Sequence, residues 1–202
     1  MKIIFAVLLF FSLSTLAQPY TPITNPEIQK SLDSAVSHFK ENEIDKGFNF
    51  FDQAISIDSN NLTVFQLKSS WESYFQKFEN ALKTTLKQIQ IRPDVAYFYL
   101  DAGLFLRRLG DSTKSLPYFK KAIALFDIEI NVSTNRDSSR PIFLRAVAML
   151  FSDQTAQGKN MLKNIYEETK EYSSSPLWGH LDEPLDLLII RWLDPKMHRD
   201  SQ

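Results

Sequence analysis

The chain repeats its own chemistry every 34 residues. Three gapless windows, 28–61, 62–95 and 96–129, put residues of like character in the same columns. Ala35, Ser69 and Gly103 coincide and are all small, as are Gly47, Ala81 and Ser115. Ile55, Ile89 and Ile123 share a column, followed two residues later by Ile57, Ile91 and Leu125. Phe51 and Phe119 share another, with Thr85 as its weak member. A period of this length admits few architectures, because one short unit cannot bury an apolar face alone and must stack on its neighbours. Small residues at two fixed places let paired helices approach closely, and bulky ones beside them fill the groove.

Each window reads as helix–turn–helix. In the third, Tyr99, Ala102, Gly103 and Leu106 form one stripe at helical spacing. Gly110 suits a left-handed helix stop, and Asp111 or Ser112 can cap the second helix. Leu116, Phe119, Ala122, Ile123 and Phe126 then mark the buried side of that helix. Pro117 is expected near its front, where the missing N–H does little harm. With only five glycines in 202 residues, and no cysteine, the composition favours an all-helical domain over a sandwich or barrel.

On these residues the chain resembles the tetratricopeptide repeat family. The likeness rests on the period, on Phe65 and Tyr99 early in the first helix, and on small residues four positions later, Ser69 and Gly103. It continues through Gly47–Phe51–Ala54 and Ser115–Phe119–Ala122, and Pro93 closes the second window where the family favours proline. Ser31, Thr85 and Gln88 depart from the pattern. The resemblance implies an all-α, right-handed solenoid of helix–turn–helix repeats. It also implies a non-enzymatic module that binds a peptide or protein segment on its concave face.

The flanks extend this plan. Residues 1–17 read as a signal peptide, with Lys2 before the apolar run Ile3–Leu13 and Ala17 at the cleavage position. That run is short for a membrane span, although an uncleaved anchor is the alternative. Export to the periplasm or cell surface is expected, with no integral anchor after cleavage. Residues 18–27 are expected as an extended leader and 130–140 as a loop. A degenerate fourth hairpin is expected over 141–171, turning at Ser152-Asp153 with Gly158, Leu162 and Ile165 inward. The remainder, 172–202, reads as a loop, a capping helix at 184–193 and a polar tail. Apolar almost all round, that helix either covers the last repeat or stays exposed to recruit a partner.

No catalytic signature appears. His38, His180 and His198 are scattered, and neither a nucleophile elbow, a phosphate loop nor a zinc-binding pair of histidines is present. No metal or cofactor is expected. A formal net charge of −1 argues against nucleic acid as partner. Two N-x-S/T sequons occur, at Asn61 and Asn131.

Projecting the first helices onto a concave face selects Leu32, Val36 and Phe39, then Gln66, Ser70 and Tyr74, then Tyr97, Leu100, Leu104, Arg107 and Arg108. Gln29 and Thr63 lie beside them. The family's carboxylate-clamp subgroup uses Lys, Asn and Arg there. This chain carries Leu32, Val36, Leu67, Tyr97 and Asp101, so that activity is not implied. Two accounts of the apolar face stand side by side. It accepts a peptide, with Arg107 and Arg108 reading an acidic group, or it is covered by the leader or by a second copy in a homo-oligomer. A different class of function is an envelope hydrolase or small-molecule binder. Its pocket would lie between the last repeat and loop 173–184, lined by Trp178, His180, Asp182 and Glu183.

Overall fold

The computed structural model describes residues 22–132, 139–169, 175, 177 and 179–194. The expected signal peptide, residues 18–21 of the leader, 133–138 of the expected loop, Trp178, His198 and the polar tail from 195 on lie outside these residues. The last two residues expected in the leader, Pro26 and Glu27, are helical. Regular structure among the described residues is entirely helical. The helices are α1 (Pro26–Lys40), α2 (Ile44–Ile57), α3 (Leu62–Tyr74), α4 (Phe78–Ile91), α5 (Ala96–Arg108), α6 (Ser112–Val132), α7 (Ser139–Leu150), α8 (Thr155–Thr169) and α9 (Leu185–Leu193).

The helix starts keep the sequence period: α2, α4 and α6 open at residues 44, 78 and 112, and α3 and α5 at 62 and 96. The turns keep it too. Asn42, Gln76 and Gly110 all have positive φ (61°, 58° and 85°), one at each hairpin turn. Behind each, the next residue's N–H reaches back across the turn: Glu43 to the His38 carbonyl, Lys77 to Glu72 and Asp111 to Leu106, at 2.8, 2.8 and 2.9 Å. These are left-handed helix stops that satisfy carbonyls the helix leaves open. Only Gly110 announced itself in the sequence.

Two compact units divide the chain, Met1–Ile91 and Arg92–Gln202. In the first, α1 pairs with α2, α2 touches α3, and α3 pairs with α4. Its core gathers Ile28, Leu32, Ala35, Phe39, Phe51, Ala54, Val64 and Trp71. A Cβ on Gly47 would overlap the Phe39 ring, so glycine there lets the ring lie flat between α1 and α2.

In the second unit, α5 pairs with α6, α6 with α7 and α7 with α8. Gly103 plays the matching part from the other helix, since a Cβ there would sit 2.7 Å from the Phe119 ring. Phe119, Phe126, Val147, Leu150 and Phe151 fill this core. α6 outruns the expected repeat: it continues to Val132 and α7 already begins at Ser139, so residues 130–132 and 139–140 of the expected loop are helical. The overhang leaves Ile128 and Val132 exposed. Pro117 is the sixth residue of α6, inside the helix rather than at its first turn, and it forgoes the bond to the Thr113 carbonyl. α9 appears where the sequence places a terminal helix, and it packs against α5.

Candidate functional site

In the first unit α1 and α3 lie side by side, the Phe39 ring 4.6 Å from Trp71 and 5.0 Å from Phe75. That contact consumes Phe39, and Leu32 is buried with it, so neither side chain faces outward. Val36 rests half-buried on the same core. Gln66, Ser70 and Tyr74 are half-buried along α3, with Tyr74 set edge-on to Trp71 and Phe75. Gln29 is exposed and Thr63 buried. What this face presents is a strip of one aliphatic, two polar and one aromatic residue, all partly accessible.

The matching face of the second unit is closed. Tyr97, Leu100 and Leu104 are buried, Leu104 to 1% exposure. At the register position of Leu104 the first unit has Val36 and Ser70, both half-exposed. α9 packs on α5, the helix that carries Tyr97, Leu100 and Leu104. It sinks Leu188, Ile189 and Leu193, and sets Trp192 6.2 Å from Phe143 of α7.

Arg107 is not a free edge residue. Its Nη1 donates to the Phe151 carbonyl at 2.6 Å, closing the end of α7, and its guanidinium lies 5.9 Å from the Phe151 ring. Burial lowers its pKa, while Asp186 in the first turn of α9 acts to raise it; its Nε is buried without a partner. Arg108 is half-buried beside it. The partner of Arg107 is 44 residues away, so no local pattern could have shown this role.

A second group gathers on α5, where the sequence marked Tyr97 for the concave face but not Asp101 as a desolvated acid. Arg140 lies over the Tyr97 ring at 4.9 Å, and Tyr97 meets Phe126 edge-on. Asp101, only partly exposed, has its pKa pushed up to about 7 by desolvation, against which the nearby Arg140 charge works. The first unit holds a buried acid of its own. Glu72 accepts a hydrogen bond from Thr84 at 2.7 Å, with Lys68 at 3.9 Å, and burial raises its pKa.

His38 sits at the α1–α2 turn, stacked on Phe50, with Nδ1 2.6 Å from Glu43. With Glu41 this brings three potential ligand atoms within 4.8 Å. Both Glu43 oxygens are already engaged, by Lys46 and His38, and these contacts lower its pKa. Of the sequons, Asn61 is buried and caps α3, its side-chain oxygen accepting from the Val64 N–H, whereas Asn131 is exposed.

The C-terminal loop folds onto α7 and α8 through Leu177 and Leu181. The cavity beneath it is lined by Phe143, Leu162, Ile165, Tyr166 and Ser175 and has a volume of about 10 Å3. That is no more than one water requires. His180 and Arg191 both bind Glu183, and Lys163 pairs with Asp182 at 3.4 Å, so the polar residues expected in a pocket are held in ion pairs outside it. Among the described residues no helix is long and apolar enough to cross a membrane.

No family model matches the sequence. No curated protein matches it either. Solved structures to which the chain is similar include YrrB, titled a TPR protein with an unusual peptide-binding site, at a TM-score of 0.49 and 16% identity, covering 88% of this chain and 93% of that one. Two MamA structures are also similar. The MSR-1 form has a TM-score of 0.46 and 17% identity over 69% of this chain and 75% of that one. The AMB-1 form has 0.48 and 15%, over 71% and 74%.

Proposed function

We propose that this chain is a non-enzymatic interaction module, exported to the cell envelope, that docks a peptide or helical segment of another protein on the first-helix faces of its repeats. One observation carries the reading: the first-helix face of α5 already seats a helix, α9. A face built from regular helical ridges accepts another helix through apolar anchors three and four residues apart. The first unit keeps the same face accessible at Val36, Gln66, Ser70 and Tyr74. Export rests on the sequence of residues 1–17, with its charged start, apolar run and small residues before Gln18.

A photo-crosslinking amino acid at position 70 or 74, in cells that make the protein, tests the docking face. The expected result is a discrete crosslinked product from these positions and none from Lys83 or Lys87, exposed on α4. Val36→Asp should abolish that product while the fold stays intact. Equal crosslinking from all four positions would remove the basis for the reading. Intact mass of the protein from its native cell tests export, with Gln18 expected as the first residue.

A further inference from the structure

We infer that α9 is a displaceable occupant of the α5 groove, and that the partner admitted in its place is an amphipathic helix with an acidic first turn. This rests on the reading of first-helix faces as docking surfaces. It adds that one such face is kept shut by the chain itself.

α9 has nine residues. A helix of that length is not stable alone in water, so its order depends on the groove beneath it. The described residues just before α9 carry no helix and are held to α7 and α8 by Leu177 and Leu181. They form an anchored tether from which α9 can leave by breaking its own contacts alone. Most of its polar contacts are local to that tether. Glu183 takes Arg191 at 2.8 Å and His180 at 2.7 Å, and both pairs can survive release. Toward the groove, α9 offers the Asp186 charge to Arg107 from an exposed position, where such attraction is weak.

The outer side of α9 points the same way. A permanent terminal cap has a polar outer face. Here Leu187 is 48% exposed, and Leu185 and Ile190 are only half-covered. α9 packs on α5, whose Leu100 and Leu104 are buried, its Trp192 meets Phe143 of α7, and the Arg107 charge feels Asp186. Arg107 keeps a buried Nε with no acceptor, a donor that an incoming carboxylate can take. The sequence of α9, an acid in the first turn followed by leucine and isoleucine, is thus a template for the ligand.

The test uses the full chain and a labelled peptide of residues 182–195 as probe. Leu188→Asp removes the deepest anchor of α9 and leaves the groove untouched. A tethered occupant competes at an effective concentration of about a millimolar. The variant should therefore bind the peptide at least about tenfold tighter than the wild type. Adding Arg107→Met, or changing the peptide's acid to lysine, should weaken binding several-fold. Hydrogen exchange on the wild type provides a second measure: amides of 185–193 should exchange at least about 100-fold faster than those of α5 and α6.

Equal affinity of wild type and variant, or no binding to a folded variant, overturns the proposal. So does a Leu188→Asp chain that fails to fold, or α9 amides that exchange only with α5, since α9 would then belong to the permanent core. A concentration-dependent dimer that Leu188→Asp abolishes would assign the groove to a second copy instead. Failure here with position-dependent crosslinking retained at 70 and 74 would leave the docking reading standing and remove only the plug.

Discussion

The two units share one register and put it to opposite use. Asp33 and Asp101 occupy the same repeat position, yet Asp33 is exposed beside Gln29 whereas Asp101 is desolvated enough to titrate near 7. Ser70 and Leu104 likewise share a position, the first half-exposed and the second sealed. The repeat pattern sets which way a side chain points. Elements outside the repeat pattern, α9 packed on α5 and Arg140 of α7 beside Asp101, accompany the loss of exposure in the second unit. A face can therefore be read from periodicity, and its accessibility cannot.

Substituting aspartate at this shared position should separate the units most sharply. Leu104→Asp places a charge in the groove that α9 closes, which should cost the second unit about 2 kcal/mol or more, up to the free energy that docks α9. Ser70→Asp, on a half-exposed face, should cost less than about 1 kcal/mol. Urea unfolding followed by circular dichroism reads both. Similar losses would mean the two faces are equally buried in solution.

Arg107 sharpens the contrast next, because its register mate is Ser73. Arg107→Met leaves the Phe151 carbonyl without its donor at the end of α7, an expected loss of about 2 kcal/mol. Ser73→Ala should change stability by less than about 0.5 kcal/mol. If Arg107→Met is neutral in the same melt, the guanidinium is not bracing α7 and is free for a partner.

These cases show which parts of the molecule were legible. Helix pairing was, because Ala35, Gly47, Gly103 and Ser115 are small for a reason local to each hairpin. The fourth hairpin was too: Gly158 lies against the Leu150 backbone and Leu162 is buried. The docking face was only half legible. Projection chose Phe39, Leu100 and Leu104 as partner residues from their helix positions. Phe39, however, packs against Phe48 and Phe51 of its own hairpin and Trp71 of the next, and α9 packs on the helix of the other two. Helix position alone does not show these contacts. Arg107 fails as an exposed reader of acids for the same cause. The overhang of α6 was missed because Asn131 looks like a loop residue, whereas a helix end tolerates it.

The desolvated acid gives a pH-dependent difference. Since the folded pKa of Asp101 lies above the ordinary 3.8, the fold favours its protonated form. Its contribution is complete below pH 3.8 and is lost as pH rises through about 7. The second unit should lose about 2 kcal/mol between pH 5.5 and pH 8. Asp101→Asn should flatten that slope in thermal melts. A slope that persists in Asp101→Asn would move its origin to Glu129 on α6, whose burial acts in the same direction.

The smallest effect lies in the turns, where the same left-handed conformation is made by glutamine in one unit and glycine in the other. A side chain at positive φ is strained by roughly 1–2 kcal/mol, and glycine escapes that strain while giving back part of the gain as unfolded-chain entropy. Gln76→Gly should therefore stabilise the first unit by about 0.5 kcal/mol, because Gln76 is exposed and loses no packing. Gly110→Ala should destabilise the second by about 1 kcal/mol, although nothing lies within 4 Å of a Cβ placed there. That open space separates backbone strain from crowding, so the two substitutions shift the urea midpoint in opposite directions for one physical reason. Shifts of the same sign would mean that the turn residues act through neighbours rather than through φ.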